Sequence, residues 1–204
     1  SIELTENKTV LIKAADWVGK LPPYLFARLD EAATEARENG IDVIDLGTGD
    51  PDLPTPAPIV AAMQNACAVQ ENHMYPSYAG SPRFRKACAD WMQRRFGVRL
   101  DPKGQILALI GAKEGVAHLV QSIVNPGDVI LATTPGYPPY FSSALMTGAQ
   151  SYAMPLLAEN RFLPRLDLVP EDIRRKARIM FINYPNNPTG ARADLDFFKY
   201  ALDF

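Results

Sequence analysis

The chain has 204 residues, 47% of them hydrophobic and 22% charged. That is an ordinary globular composition, and the length suffices to bury about 70% of the surface that the unfolded chain exposes. With 21 Lys and Arg against 23 Asp and Glu the net charge is −2, which argues against nucleic-acid binding by bulk charge and leaves no polybasic membrane tract.

No apolar run approaches the roughly 18 residues of a membrane span. Residues 1–13 are mixed polar and carry no secretory apolar core. Cys67 and Cys88 lack CxxC spacing, and with only His73 and His118 beside them no metal site is expected. These features suit a soluble cytoplasmic protein with reduced thiols.

Residues 1–20 lack periodicity and read as an arm. Pro22 and Pro23 suit the first turn of a helix carrying Leu25, Leu29, Ala32, Ala33 and Ala36 on one face and ending at Asn39-Gly40. Ile41 to Leu46 alternates as a short strand, followed by the loop Gly47 to Asp52. Pro56 to Val69 reads as a helix with Ile59, Val60, Met63 and Ala66 on one face. A polar and aromatic loop from Glu71 to Gly80 precedes a helix from Pro82 to Phe96, with Ser81 as its N-cap and Gly97 at its end. Ile106 to Ile110 is a short apolar run of strand character. Gly111 to Gly115 leads into a helix through Val124, and Val129 to Ala132 is strand-like. The turn-rich segment Thr133 to Tyr140 feeds a helix ending at Thr147 and Gly148. Ser151 to Met154 reads as a strand, Pro170 to Lys176 as a short helix and Arg178 to Asn183 as a strand. Asp194 caps a last helix with Leu195, Phe198, Ala201 and Leu202 at helical spacing.

Apolar strands separated by helices indicate an α/β protein with a mostly parallel sheet. Ligands of such sheets bind in loops beyond the carboxyl ends of the strands, and three Gly/Pro-rich loops lie at such ends.

Five loop motifs carry candidate chemistry, and each has a plain reading beside the functional one. Gly47-Thr48-Gly49 follows a strand, but Asp52 occupies the third glycine position of a dinucleotide fingerprint and Pro51 interrupts it. It is either a tight turn or, at Gly49, a backbone approach to a ligand carboxylate. Tyr75 is either a packed loop aromatic or a hydroxyl donor to a phosphate. Gly111-Ala112-Lys113 is either a simple helix start or a phosphate cradle, since helix N-termini offer free N–H groups and partial positive charge. It is no P-loop, because Ile106 stands for the first glycine and Glu114 follows the lysine. Tyr137 and Tyr140 in Pro135-Gly136-Tyr137-Pro138-Pro139-Tyr140 are either core or rim tyrosines or an aromatic face for a planar cofactor. Asn187-Pro188-Thr189-Gly190 is either turn chemistry or an amide aimed at a ring oxygen.

The order of these motifs resembles the class I/II aminotransferases, fold type I enzymes that use pyridoxal 5′-phosphate. The motifs are Ile44 to Asp52, Tyr75 to Gly80, Gly111 to Gly115, Pro135 to Pro138 and Asn183 to Gly190, and the resemblance covers about residues 20–204. Within the family the chain is most similar to LL-diaminopimelate aminotransferases, through Leu21-Pro22-Pro23-Tyr24-Leu25-Phe26, Tyr75-Pro76-Ser77-Tyr78, Arg94-Arg95-Phe96-Gly97-Val98 and Ile179-Met180-Phe181-Ile182-Asn183.

The resemblance implies a three-layer α/β/α architecture. Residues 1–45 would form an N-terminal arm with part of the small domain, and 46–204 the amino-terminal, incomplete part of the cofactor-binding large domain. It implies that the Ala112 and Lys113 backbone holds the cofactor phosphate, Tyr137 stacks on the pyridine ring and Asn187 binds the ring hydroxyl oxygen. Gly49 would meet the substrate carboxylate, and Tyr75 would reach the phosphate of the partner subunit in a homodimer. The implied substrates are an amino acid and a 2-oxo acid, LL-diaminopimelate and 2-oxoglutarate in the full-length enzyme.

Transfer chemistry with this cofactor needs an amine and an acidic partner for the pyridine nitrogen. In the family both come well after the Asn-Pro-Thr-Gly loop, whereas Phe204 lies 14 residues past Gly190. No catalytic residue is therefore assigned: the Schiff-base lysine has no counterpart here. Lys113 holds a phosphate-adjacent position, and Lys199 reads as a solvated helix residue. The 204 residues are expected to be an amino-terminal portion that does not transaminate alone. Two other readings stay open: a non-catalytic module that dimerises or binds phosphate-bearing ligands, and a lyase or aminotransferase acting on another amino acid.

Overall fold

The computed structural model describes residues 13–22, 25–47, 49 and 51–204. These divide into two compact units, one of residues 110–204 with the described part of the first 21, the other of residues 22–109.

The unit of residues 110–204 contains a three-stranded sheet. β1 is Val129–Thr134, β2 is Gln150–Pro155 and β3 is Ala177–Phe181, in the order β2-β1-β3. Both pairings are parallel, with Ile130 opposite Ser151 on one side and Ile179 on the other. The expected parallel α/β sheet is present, and its central strand is the most apolar. Strand alternation divides β1 between two cores. Val129 and Leu131 pack with Met154, Leu166 and Val169 on one face. Ile130 packs with Val120, Val124 and Ala144 on the other. The second core is covered by α4 (Ala112–Ile123) and α5 (Pro139–Thr147), the first by α6 (Glu171–Lys176) and α7 (Leu195–Asp203). This is a helix–sheet–helix layering. Only β1 is buried along nearly its whole length; β2 is largely exposed, as befits a strand with one neighbour.

The unit of residues 22–109 is built from α1 (Leu25–Glu38), α2 (Ala57–Cys67) and α3 (Pro82–Phe96). Residues 23 and 24, where the first helix was expected to begin, lie outside the described residues. Gly40 closes α1 with φ 80°, and Ile41 N–H donates to the Ala36 carbonyl.

Two expected strands are not formed. Residues 41–46 and 106–110 have no strand geometry, and no strand exists among the described residues of this unit. A strand is held by a ladder to a neighbour, and alternation alone does not supply one. Ile44 and Leu46 are accordingly 83% and 91% exposed, and Ile110 is 94% exposed. The second segment is tied by Ala108 N–H to the Ala79 carbonyl at 3.2 Å and by Ile110 N–H to the Glu114 carboxylate, neither of them part of a ladder.

The inward face of α7 also differs from expectation. Leu195 and Leu202 point to solvent; Phe197 is buried, and Phe204 is partly buried together with Ala201, which was expected on this face. Both sets obey helical spacing. A helix apolar over much of its circumference leaves the choice of face to its neighbours.

Candidate functional site

α4 begins where the chain leaves Ile110 and turns at Gly111. Gly111 has φ 89° and ψ 161°, a backbone that side-chain-bearing residues avoid. It has no side chain with which to cap the helix. The Glu114 carboxylate folds back to accept from Ile110 N–H at 2.5 Å. That bond spends Glu114 on the residue before the turn and leaves the Ala112 and Lys113 amides without partners among the described residues. Both residues are exposed. Two free donors at the positive end of a 12-residue helix suit an anionic oxygen.

Tyr137 lies half-buried in the loop between β1 and α5. Gly136 sits so close to the end of β1 that a Cβ there would lie 2.2 Å from the Thr133 carbonyl oxygen. The Lys113 ammonium stands 6.0 Å from the centroid of the Tyr137 ring, at the outer limit of a cation–π contact. Tyr137 meets Tyr140 edge-on at 5.7 Å, and Tyr140 lies flat on Phe181 of β3 at 4.3 Å. The platform tyrosine is thus propped from behind by α5 and the sheet. Burial, and secondly the neighbouring Tyr137, hold the Tyr140 hydroxyl above the ordinary phenol range.

The segment after β3 is a self-bonded loop. Asn187 N–H donates to the Asn183 side-chain oxygen at 3.1 Å, Gly190 N–H to the Asn186 carbonyl at 2.7 Å and Asn186 N–H to the Ala191 carbonyl at 2.9 Å. Asn187 is exposed, and its side-chain amide is uncommitted among the described residues. Its neighbour Asn186 is buried, donating to the Thr189 hydroxyl at 2.9 Å while its Oδ1 finds no partner among the described residues. The Thr133 hydroxyl near the end of β1 is likewise buried without a partner among the described residues.

The structure therefore brings Lys113 and Tyr137 together and puts Ala112, Tyr137 and Asn187 on loops of the same compact unit. Gly49 and Tyr75 belong to the other unit. Gly49 is exposed with open space where a Cβ would be, and its neighbours 48 and 50 lie outside the described residues. Tyr75 is fully exposed with its hydroxyl uncommitted among the described residues. A cleft of about 580 Å³ lined by Arg85, Lys86 and Arg99 lies between α3 and the turn after it, and contains none of the motif residues. Lys199 is exposed and bonded to Asp196 at 3.1 Å. Tyr140 was paired with Tyr137 as an aromatic face, whereas Tyr184 and Asn186 were given no role of their own from sequence. Both lie inside the Asn183 to Gly190 motif, and that position says nothing about the distant partner Tyr184 packs on.

Residues 41–204 match the model of the family described as aminotransferase class I and II. The chain belongs to this family. It is 53% identical over 194 residues to the LL-diaminopimelate aminotransferase of Aquifex aeolicus, covering 95% of this chain and 50% of that protein. It is 52% identical over 184 residues to that of Syntrophobacter fumaroxidans, covering 90% of this chain and 47% of the other. Among solved structures, apo BacF from Bacillus subtilis superposes with a TM-score of 0.89 at 38% identity, over 95% of this chain and 50% of BacF. N-succinyldiaminopimelate aminotransferase from Mycobacterium tuberculosis does so with a TM-score of 0.83 at 30% identity, over 94% of this chain and 48% of that one. The chain spans about half the length of the curated relatives it matches.

The family uses pyridoxal 5′-phosphate, and the residues of the 110–204 unit fit that group. The open amides of Ala112 and Lys113 suit its phosphate. Tyr137 is a supported aromatic surface beside them, and Asn187 has a free amide for a ring oxygen. Among the described residues no helix is long and apolar enough to cross a membrane, and no cluster of His, Cys, Asp or Glu could hold a metal ion.

Proposed function

We propose that these 204 residues supply the cofactor-holding part of an aminotransferase that moves an amino group between LL-diaminopimelate and a 2-oxo acid, with 2-oxoglutarate as the acceptor. The observation that carries the reading is the pairing of Lys113 with Tyr137 beside the uncommitted first turn of α4. It puts a phosphate-binding end next to a ring-binding face. The substrate assignment is supported by the names of the relatives at about 50% identity.

When bound, pyridoxal 5′-phosphate supplies the aldehyde that carries the amino group and a ring that accepts electron density. The Ala112 and Lys113 amides hold the phosphate by donating to its oxygens, aided by the helix dipole. Tyr137 covers one face of the ring and excludes water from it. The Asn187 amide donates to the ring hydroxyl oxygen and fixes the ring's rotation. Gly49 meets the substrate carboxylate through its backbone. Tyr75 donates to the phosphate of a partner subunit in a cytoplasmic homodimer, which its free, fully exposed hydroxyl suits. On this reading the 204-residue chain binds the cofactor without turning over.

Titration of the chain with pyridoxal 5′-phosphate tests this. Saturable binding, competition by inorganic phosphate and roughly tenfold weaker binding by Asn187→Ala are expected, the loss of one hydrogen bond to a charged ligand. Equal binding by Asn187→Ala without phosphate competition defeats the site assignment. Transamination of LL-diaminopimelate by a mass-verified 204-residue chain defeats the proposed division of labour.

A further inference from the structure

Tyr184 stands near the start of the loop that carries Asn186 and Asn187, and its side chain packs on segments outside that loop. Its hydroxyl donates to the Phe162 carbonyl at 2.7 Å, a partner 22 residues upstream. Its ring meets Phe197 edge-on at 5.6 Å and Phe198 at 6.3 Å, both on α7. One half-buried side chain thus joins three segments: the loop after β3, the turn after β2 and the last helix.

The accepting carbonyl is itself held in place. Arg161 and Phe162 have φ of 53° and 57°, left-handed values that cost energy in residues other than glycine. The turn is fixed by Phe162 N–H to the Leu157 carbonyl at 2.9 Å, Leu163 N–H to the Asn160 carbonyl at 2.9 Å and the Asn160 amide to the Leu163 carbonyl at 2.6 Å. These bonds maintain a costly backbone that presents the Phe162 carbonyl to Tyr184. On the other side, the loop's own bonds pass any movement of Tyr184 to Asn187. Asn183, next to Tyr184, accepts from Asn187 N–H, and Asn186 anchors Gly190.

We infer that Tyr184 is a positioning residue: its hydrogen bond to the Phe162 carbonyl clasps the Asn183–Gly190 loop and thereby fixes the Asn187 amide for the cofactor ring. The inference rests on the cofactor reading above for what Asn187 contacts, and on the geometry alone for the clasp. Tyr184→Phe removes the hydroxyl and keeps the ring contacts with α7.

The test combines amide hydrogen exchange with pyridoxal 5′-phosphate titration on the full 204-residue chain. Tyr184→Phe is expected to speed exchange at Asn186 and Gly190 roughly tenfold, the size of one lost hydrogen bond. Exchange at Leu131 in β1 stays unchanged, and cofactor affinity falls several-fold. Asn160→Ala, which frees the turn without touching Tyr184, is expected to speed the same amides by a smaller factor, and it decides the matter if Tyr184→Phe does not fold. Unchanged exchange at Asn186 and Gly190, or equal acceleration at Leu131, overturns the clasp. If Asn187→Ala weakens binding while Tyr184→Phe moves neither quantity, the clasp fails and the cofactor reading stands. If Tyr184→Phe loosens the loop while Asn187→Ala leaves binding unchanged, the clasp stands and the cofactor reading fails.

Discussion

The ring of Tyr140 lies flat against that of Phe181, with centroids 4.3 Å apart and planes 8° from parallel. Tyr140 is at the start of α5 and Phe181 ends β3, so the contact joins the helix to the sheet just behind Tyr137. Phe181 also packs against the core formed by Val120, Ile130 and Ala144. Phe181→Ala removes the stack and opens a void, and the expected cost is about 3 kcal/mol, in the range of aromatic truncations in cores. Urea denaturation measures it. A Phe181→Leu variant keeps most of the volume and is expected to lose less than half as much.

Gly136 has a steric reason to be glycine. An added Cβ would lie 2.2 Å from the Thr133 carbonyl oxygen, and that neighbour is backbone of a buried strand end that cannot swing aside. Gly136→Ala is expected to destabilise the chain by more than ~1 kcal/mol through forced backbone shifts. Gly19, with nothing within 4 Å, provides the contrast. Gly19→Ala is expected to be neutral or slightly stabilising, because it restricts only the unfolded chain. Paired thermal melts of the two variants check the ordering.

The sheet was legible where an apolar run sat between turn residues and had a neighbour to pair with. Val129 to Ala132 is such a run, flanked by Gly127-Asp128 and by Pro135-Gly136, and it forms the buried central strand. Ile41 to Leu46 had the alternation of a strand and formed none, because pairing is a property of two segments. The candidate site was legible as loops and helix starts: Gly111 before α4, Gly136 before α5. Its support was not. No local pattern says that the Tyr184 hydroxyl reaches a carbonyl 22 residues away, or that Phe197 and not Phe198 is the buried phenylalanine of α7.

Two helices that looked alike in sequence differ in their caps. Asp194 Oδ1 accepts from Phe197 N–H at 2.9 Å at the start of α7, whereas Ser81 makes no side-chain cap bond at the start of α3. Pro82 already sets the first dihedral of α3, and its missing N–H removes one donor that would need a partner. Asp194→Ala is therefore expected to cost about 1 kcal/mol, with much of the loss restored by Asp194→Ser. Ser81→Ala is expected to fall within ~0.5 kcal/mol of the parent, as for surface changes away from special features. Chemical denaturation of the three variants separates the two cases.

Tyr184 links the fold to pH. Burial pushes its hydroxyl up to about 12, from an ordinary value of 10.0. The folded protein therefore keeps the proton that the unfolded chain releases first. The stability this contributes is fully present below pH 10, falls as the unfolded state alone ionises, and is gone once pH passes through about 12. The same proton is the one donated to the Phe162 carbonyl, so ionisation both charges a half-buried ring and releases the turn. Ultraviolet titration of the phenolate band is expected to show a late-ionising tyrosine near pH 12. Tyr184→Phe should delete that late step and flatten the loss of stability between pH 10 and 12. A late step of unchanged size in Tyr184→Phe would assign it to another tyrosine.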